Sequence, residues 1–582
     1  MSETGERVER VYAGFRGVDF RGEEINLVRS PDSMNVWKDY KYTDSIRTRP
    51  TMERLFGSLE VHSFTIFKDA IFCHAGKILW KMTHNDVGAK EYTIVCETLA
   101  DHNSVMFVAE YPQTTEACIY ILDGEKYWCL RPNKVVDGKP LLQEVEGYVP
   151  TTSIGRKPTG EENPSGGQVM QDVNMLQRRR INTFMADGKN TVYWLNAYDI
   201  DKDFAPIVKS LDGQVLPKHT VDYDKGTITF ASVPPLPLTD GQDNISVEFA
   251  KTIPEYRKAI EGCTMVQAFD NRVFVSGNPD YPNTVWHCSL NDPTYFADTD
   301  MYLEGLDDAK VTGMVAGNNA LWVFREPSVD NTTVFYHTPA IDAEYGKIYP
   351  DAHSSVALGC VGKAINFNDD IVFFSQRGME GISGDVTTEQ VIAHRSSLVD
   401  RKLIAELDYR NMVLAEWEGY LIVFIGNKAY LADSRTAVTV DDHTEYEWFY
   451  WEMEKAITAA ISHNGELYLG TDDGVYVLAR YSDKPIESYW VTPKDKFKCP
   501  HKQKTTNKRG CVGEATGDIT VYAKVEDTDF EYIGEYKDVK DYFVSRIKRK
   551  KFKDIQLKFH SNTRFSLESV TLEAWIGGYI KR

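Results

Sequence analysis

The sequence lacks long apolar runs and long helix-forming runs. No apolar stretch among its 582 residues approaches the ~18 residues that a membrane-spanning helix needs, and the opening MSETGERVERVYAGF is polar. We therefore expect a soluble chain with no secretion signal and no membrane insertion. Extended Ala/Leu/Glu/Lys stretches are also scarce, which argues against a helical fold.

A cysteine framework is missing as well. The nine cysteines are scattered, several in strand-like segments such as AIFCHAG and VWHCSL, which predicts buried free thiols and folding in a reducing compartment. One cluster joins Cys499, His501 and Cys511. A zinc site would need a fourth ligand and a tight Cys-x-x-Cys knuckle, so the cluster favours a plain loop, and we expect no metal or other cofactor.

Catalytic motifs are equally scarce. The sequence contains no G-x-S-x-G, no H-E-x-x-H and no P-loop. The segment TDDGVY (471–476) approaches a sialidase turn, but its glycine comes one position early and the Thr-Trp is missing. Glu452 and Glu454 could act as an acid-base pair, although carboxylates are so frequent here that chance pairing is the simpler explanation. We expect a protein that is not an enzyme.

A positive charge balance is absent too. With 66 Lys and Arg against 86 Asp and Glu, the formal net charge is −20, which disfavours tight binding to a polyanion but suits a channel along which DNA slides. Two basic segments, 494–509 and 546–553, stand out against this background. They are either solvated surface or a subunit or phosphate contact. The candidate contact residues are Lys502, Lys504, Lys508, Arg509, Arg546, Lys548, Arg549, Lys550 and Lys551.

What the sequence has in abundance is aromatic residues and short strand patterns. It contains 32 Tyr, 27 Phe and 11 Trp, which favours an all-β protein. The segment AISHNGELYLGTDDGVYVL (460–478) reads as three short strands joined by Asn-Gly and Asp-Gly turns. A shift of 96 positions places AINFNDDIVFFSQRGMEGI (364–382) on it without a gap, so Gly378 falls on Gly474.

Looser copies of this meander recur along the chain, at 64–82, 104–130, 265–290, 314–326 and 414–433. Meanders repeated at about 40–50 residues predict a β-propeller, here of six or seven blades, because each blade buries its faces against two neighbours. Unrelated hairpins of β-sandwiches are the alternative. The expected divisions are an N-terminal segment with the first blades (1–148), an inserted β-sandwich domain (149–252), the remaining blades (253–490) and a C-terminal β-rich, sandwich-like region (491–582).

Several segments also resemble a known family. The opening, with Ser30-Pro31-Asp32, Asn35-Val36 and Arg49-Pro50, is similar to that of phage packaged-DNA stabilisation or tail nozzle (tail hub) proteins. Further matches occur in the same order at YVPTTSIGR, NRVFVSGNPDYPN, NDPTYF, KTTNKRG and the closing TLEAWIGGYIK. The matches extend over nearly the whole chain.

The resemblance implies a structural protein of the virion tail, assembled in the host cytoplasm. Members of that family form a homohexameric ring below the portal and adaptor, in contact with other tail proteins, and the resemblance implies the same assembly here. The ring retains packaged double-stranded DNA and later conducts it without sequence-specific binding. A rival interpretation is a propeller used as a receptor-binding or glycan-degrading tail protein, and a monomeric receptor-binding head would not need a closed ring.

Overall fold

The computed structural model describes residues 6–22, 26–42, 45–85, 88–112, 114–161, 170–329, 332–342, 346–353, 358–383, 391–440, 443–480, 484–548 and 551–579. The fold is all-β, and it contains a seven-bladed propeller, an inserted domain and a C-terminal sheet. Six short strands come first: β1 (Glu6–Ala13), β2 (Gly17–Val18), β3 (Arg29–Ser30), β4 (Val36–Lys38), β5 (Ile46–Thr48) and β6 (Thr51–Phe56).

The first two blades follow directly, each as a four-stranded antiparallel sheet. Blade 1 consists of β7 (Val61–Phe67), β8 (Ala70–Ala75), β9 (Ile78–His84) and β10 (Lys90–Cys96). Blade 2 consists of β11 (Val105–Tyr111), β12 (Glu116–Leu122), β13 (Tyr127–Val136) and β14 (Lys139–Glu144).

The inserted domain then interrupts the ring with two sheets around one core. The larger sheet contains β15 (Thr151–Arg156), β16 (Arg179–Phe184), β18 (Ile207–Ser210) and β21 (Ile245–Ala250), and the smaller contains β17 (Val192–Trp194), β19 (His219–Asp222) and β20 (Thr227–Phe230). Phe184, Tyr193 and Phe230 pack edge to face between them. The domain is the predicted sandwich, except that β15 and β16 pair in parallel.

Five more blades complete the propeller. The helix α1 (Tyr256–Glu261) precedes blade 3, and the helix α2 (Asp400–Leu403) and a 3-10 turn (Tyr409–Asn411) precede blade 6. Blade 3 contains β22 (Met265–Phe269), β23 (Arg272–Ser276), β24 (Thr284–His287) and β25 (Met301–Leu303). Blade 4 contains β26 (Val311–Gly317), β27 (Ala320–Arg325), β28 (Val334–His337) and β31 (Asp351–His353). A separate hairpin of β29 (Ala340–Asp342) and β30 (Gly346–Ile348) lies between β28 and β31 in the sequence. Blade 5 contains β32 (Ala364–Phe367), β33 (Asp370–Ser375), β34 (Gly378–Ser383) and β35 (Val391–His394). Blade 6 contains β36 (Val413–Trp417), β37 (Tyr420–Ile425), β38 (Lys428–Val440) and β39 (His443–Glu452). Blade 7 contains β40 (Ala459–His463), β41 (Glu466–Thr471) and β42 (Gly474–Ala479).

Blade 7 takes its fourth strand from the start of the chain. The strand β6 pairs with β42, so that Val475 lies opposite Phe56 and Leu478 opposite Met52. First strands contact one another from β7 through β11, β22 and β26 to β32, and from β36 through β40 back to β7. Blades 5 and 6 share one apolar core, so the seven blades form a closed ring in which β6 gives blade 7 its fourth strand.

The gapless repeat is confirmed for the second and third strands of the meander. The bounds of β33 and β34 become those of β41 and β42 when 96 is added. Ser375 and Thr471 also occupy equivalent sites, because each hydroxyl donates a hydrogen bond to the carbonyl oxygen of the turn glycine, at 3.3 Å for Gly378 and 3.0 Å for Gly474. Both glycines have positive φ, 130° and 134°.

The C-terminal region forms a single ten-stranded sheet that also includes β1, β4 and β5. Its own strands are β43 (Ser488–Val491), β44 (Lys502–Val525), β45 (Glu531–Val539), β46 (Tyr542–Ser545), β47 (Lys551–Phe552), β48 (Ile555–Ser561) and β49 (Phe565–Tyr579). The long β44 pairs first with β49 and then with β48. The sheet therefore bends around an apolar core in a sandwich-like way, with Phe543 against Phe559.

Helices are short everywhere in the described ranges. None of them is long and apolar enough to cross a membrane. All nine cysteines are free, and seven of them are buried, whereas Cys96 and Cys499 are partly exposed.

Candidate functional site: an open face of the C-terminal sheet

The two basic segments lie side by side in the C-terminal sheet. Residues 502–509 belong to β44, and Thr505 of that strand pairs with Lys551 of β47. The ammonium of Lys504 joins the segments, donating hydrogen bonds to the carbonyl oxygens of Cys499 (2.5 Å) and Lys553 (2.7 Å). Two cationic stretches about forty positions apart therefore form one surface region.

Lys504 itself is not on that surface. Its side chain is fully buried, and burial lowers the pKa of its ammonium. Because an ammonium has three protons and two are already given to carbonyl oxygens, Lys504 serves as an internal tie. This placement corrects the expectation that Lys504 contacts a subunit or a phosphate.

The surrounding cations are exposed. In the described part of the chain no ion pair or hydrogen-bond partner is found for the side chains of five of them, which we call the basic cluster: Lys498, Arg546, Lys548, Lys551 and Lys553. Lys502 is partly exposed and has partners of its own. The side chains of Lys508 and Arg509, and all of Arg549 and Lys550, lie outside the described residues. The cluster is thus unneutralised positive charge on a strongly acidic protein.

Exposed apolar side chains adjoin the basic cluster. Strand pairing aligns Val11 of β1 with Thr571, Thr571 with Val512, and Val512 with Val544 of β46. Val11 is 51% exposed and Val544 40% exposed. This row crosses four strands on the side of the sheet away from the core, and we call that side the outer face.

A second row of the outer face combines apolar and cationic groups. Trp575 of β49 lies opposite Arg7 of β1 on one side and Thr505 on the other, and Thr505 in turn pairs with Lys551. Trp575 is 38% exposed, and Tyr542, near the first row, is 64% exposed. Aromatic side chains flanked by cations are the composition typical of the centre of a protein interface.

The outer face is held rigidly from below. The buried carboxylate of Asp495 accepts hydrogen bonds from Arg10 Nε (2.8 Å), the Tyr12 hydroxyl (2.9 Å) and the Phe497 backbone N–H (2.6 Å). Burial and the nearby Asp495 charge raise the pKa of Tyr12. These bonds attach the edge strand β1 to the turn that carries Lys498, so the backbone beneath this part of the outer face is fixed.

Sequence reasoning found the cations of this face but missed its apolar half. In β46, Tyr542 and Val544 are exposed while Phe543 and Ser545 are buried. Both alternating sets contain a large apolar residue, so the sequence does not tell which set faces the core. The exposed edge strand β1 was missed because its partner is more than 550 positions away.

Two of the N-terminal residues that resemble tail nozzle proteins, Asn35 and Arg49, have structural roles. Arg49 is buried, and its guanidinium donates to Asn35 Oδ1 (2.8 Å) and to the carbonyl oxygens of Pro50 (2.7 Å) and Glu452 (2.6 Å). Asn35 Nδ2 donates to the carbonyl oxygen of Glu487 (2.8 Å). These bonds join the N-terminal segment to blade 6 and to the segment that leads into the C-terminal sheet.

The acidic pair considered for catalysis is engaged elsewhere. Glu452 accepts a hydrogen bond from the Tyr450 hydroxyl (2.9 Å), and Glu454 forms an ion pair with the buried Arg49 (3.3 Å). Among the described residues no group of three or more His, Cys, Asp or Glu side chains is arranged to hold a metal ion.

Comparisons with known proteins concern the fold. No family model matches the sequence, and no curated protein does. Solved structures with a similar fold include BamB from Moraxella catarrhalis (13% identity, 74% of this chain and 96% of that one, TM-score 0.33) and the WD40 β-propeller domain of Doa1 (8% identity, 75% and 97%, TM-score 0.32). PorZ of Porphyromonas gingivalis, a surface component of the type-IX secretion system, is 10% identical over 76% of this chain and 42% of its own length, with a TM-score of 0.35. At these identities the likeness extends to the β-propeller alone.

Proposed function

We propose that this protein is a structural subunit of a phage tail, which assembles through its outer face into a ring that retains packaged DNA and later conducts it. The observation that carries the proposal is the outer face itself, where exposed apolar residues adjoin five cations that have no partner in the described chain. The ordered resemblance to tail nozzle proteins supports the same function.

Charge complementarity supports self-assembly. The protomer carries a net charge of −20, so the surface of a neighbouring subunit offers many carboxylates to the basic cluster. Each exposed pair would contribute little energy, but complementary patches steer association and fix its register. The exposed Trp575, Val11 and Val544 would supply apolar burial at the centre of the contact.

The same charge balance supports a role as a conduit. Cationic channel walls would release counterions at each phosphate and hold the DNA, because phosphate contacts dominate non-specific affinity. We propose that the basic cluster faces neighbouring subunits or the portal-adaptor side of the tail, and that acidic and neutral polar side chains line the channel.

The test is to reverse the charge of the described cations. The triple variant Arg546→Glu, Lys548→Glu and Lys551→Glu should remain folded but fail to form rings near physiological salt, as measured by native mass spectrometry and electron microscopy. A control with two charge reversals uses Lys202 and Lys225, exposed lysines of the inserted domain that pair locally with Asp224 and Asp222.

Three outcomes would contradict the proposal. The first is a monomeric wild-type protein at concentrations where tail proteins assemble, and the second is a ring whose density places the basic cluster around the channel. The third is normal rings from the triple variant, because the outer face would then not be the contact between subunits.

A further inference from the structure

A polar pocket lies where three parts of the chain meet. It is lined by the N-terminal segment, by the end of β42 in blade 7, and by the start of β49 with the facing part of β44. The polar groups that matter for its chemistry are Arg47, Arg480, Arg564, Thr48, Thr516 and Ser566. The pocket has a volume of about 140 Å³.

The lining contains more cations than carboxylates. Three guanidinium groups are present, and Asp39 is the one carboxylate among the described lining residues. Arg480 forms two ion pairs. Its Nη1 lies 2.5 Å from Asp39 Oδ2, and its Nη2 lies 2.6 Å from Glu418 Oε1. Arg480 is therefore neutralised and held in place, whereas Arg47 has no carboxylate partner among the described residues.

Arg47 is positioned for a ligand. Its Nε donates to the Ser45 hydroxyl (3.1 Å), and its guanidinium lies over the Tyr42 ring, 3.8 Å from the centroid. No described residue accepts a hydrogen bond from its Nη1 or Nη2. Stacking and one bond fix the plane of the group, while the two terminal nitrogens remain as donors.

Hydroxyl groups complete the donor set. Thr516 and Ser566 share one hydrogen bond (2.7 Å), which uses one of their two hydroxyl protons and leaves the other to donate. On the same wall, Arg564 Nη2 donates to the carbonyl oxygen of Ala479 at 3.2 Å, which ties it to blade 7. The pocket thus combines planar, fork-shaped cations with neutral donors.

We propose that this pocket binds a phosphate-type oxyanion, either inorganic phosphate or the phosphate group of a small monoester. Guanidinium groups recognise such ions through paired N–H···O bonds, and Arg is favoured over Lys where a planar, bidentate contact is needed. The volume equals that of several water molecules, since one water occupies about 30 Å³, so the ion fits together with part of its hydration shell. Chloride offers no separate oxygen acceptors and would compete poorly.

The bound oxyanion would connect elements that are distant in sequence. Arg47 belongs to β5, Arg480 follows β42, and Arg564 directly precedes β49. An anion bound in the pocket would lie between the C-terminal sheet and the last blade of the propeller. Binding would therefore stabilise the folded protein and protect this junction from local opening.

Binding is tested directly on the full chain. Isothermal titration and thermal unfolding would be measured with sodium phosphate, with glycerol 2-phosphate and with sodium chloride at matched ionic strength. We expect one saturable site for phosphate and a higher unfolding temperature than in chloride. Binding of both phosphates identifies a site for monoesters, and binding of phosphate alone identifies a site for the free ion.

The variants separate this pocket from general charge effects. Arg47→Gln should weaken phosphate binding by about tenfold or more because it removes a charged bidentate donor, and Arg47→Lys should restore it only in part. Arg54→Gln is the matched control, since Arg54 is exposed on β6 and donates to the carbonyl oxygen of Gly57 outside the pocket. Should an Arg47 variant fail to fold, Thr516→Val provides the second test.

The proposal is overturned if phosphate stabilises no more than chloride at equal ionic strength. It is also overturned if folded Arg47→Gln and Thr516→Val proteins both bind phosphate as tightly as the wild type. Ring assembly is a separate readout, so the pocket and the proposed tail function can fail independently.

Discussion

Gly474→Val should destabilise the propeller at the point where its ring closes. The glycine has φ of +134°, and a Cβ atom added there would lie 2.6 Å from the carbonyl oxygen of Phe56 and 3.0 Å from that of Gly57. Both are backbone atoms at the end of β6, the strand that completes blade 7. A valine therefore has to adopt a disfavoured conformation and also displace the closing strand.

The size of the destabilisation by Gly474→Val follows from two contributions. A β-branched residue at positive φ costs about 1–3 kcal/mol, and forcing extra atoms into a packed site costs about 1–3 kcal/mol more. We expect the free energy of unfolding to fall by about 2–6 kcal/mol in urea denaturation. Hydrogen exchange should show the loss first in β6, because its pairing with β42 is disturbed directly.

Two other glycines calibrate the measurement. Gly465 has φ of +78° with no atom within 4 Å of an added Cβ, so Gly465→Ala reports the backbone cost alone. At Gly378 the added Cβ would meet the hydrogen-bonded side-chain oxygens of Asp400 (2.2 Å) and Ser396 (2.5 Å). Gly378→Val therefore reports a similar φ and a comparable clash at a site away from the closing strand. If Gly474→Val costs no more than Gly465→Ala, the reasoning about ring closure fails.

Three further predictions concern His394, Arg49 and the cleavage of glycans. Burial alone would lower the pKa of His394, but its hydrogen bonds to Asp400 and Glu380 outweigh burial and raise that pKa to about 10. The folded pKa lies above the unfolded value of about 6.5, so His394→Gln should lose stability below that pH, and the loss should shrink as the pH rises towards 10 in urea denaturation. Arg49→Met should lower the free energy of unfolding by about 1–3 kcal/mol for each buried acceptor that it leaves without a donor, chiefly Asn35 Oδ1 and the carbonyl oxygen of Pro50. We also predict no release of fragments from host polysaccharide or peptidoglycan, and cleavage that Glu452→Gln abolishes would instead identify a glycan-degrading protein.

The propeller was predictable because its information is local. Most blades contain short strands joined by tight turns, and residues of positive φ occupy the first turn in several of them, as at Asn368, Asp369 and Asn464. Asn and Asp tolerate that conformation, so the turn chemistry is visible in the sequence. The 96-residue shift then aligned two blades correctly.

The closing strand and the open face were not predictable in this way. The segment TMERLF of β6 resembles any short strand, and its partner β42 lies more than 400 positions later. Likewise β1, β4 and β5 join a sheet formed by the last part of the chain. Such pairings depend on the assembled fold, since no local pattern encodes the partner. Burial of Lys504 was missed for a related reason, because one of its two acceptors is the backbone carbonyl of Lys553, 49 positions later.

The closure of blade 7 by β6 also imposes an order on events at the ribosome. The partner strand β42 ends at residue 479, so at about 5–20 residues per second β6 waits roughly twenty seconds to a minute and a half for it. Throughout that interval β6 is an unpaired strand on a nascent chain, open to wrong partners. Its central Glu53 and Arg54 are charges of the kind that discourage edge-to-edge pairing. The strand that completes blade 7 therefore contains charges that reduce its pairing with other chains before β42 is made.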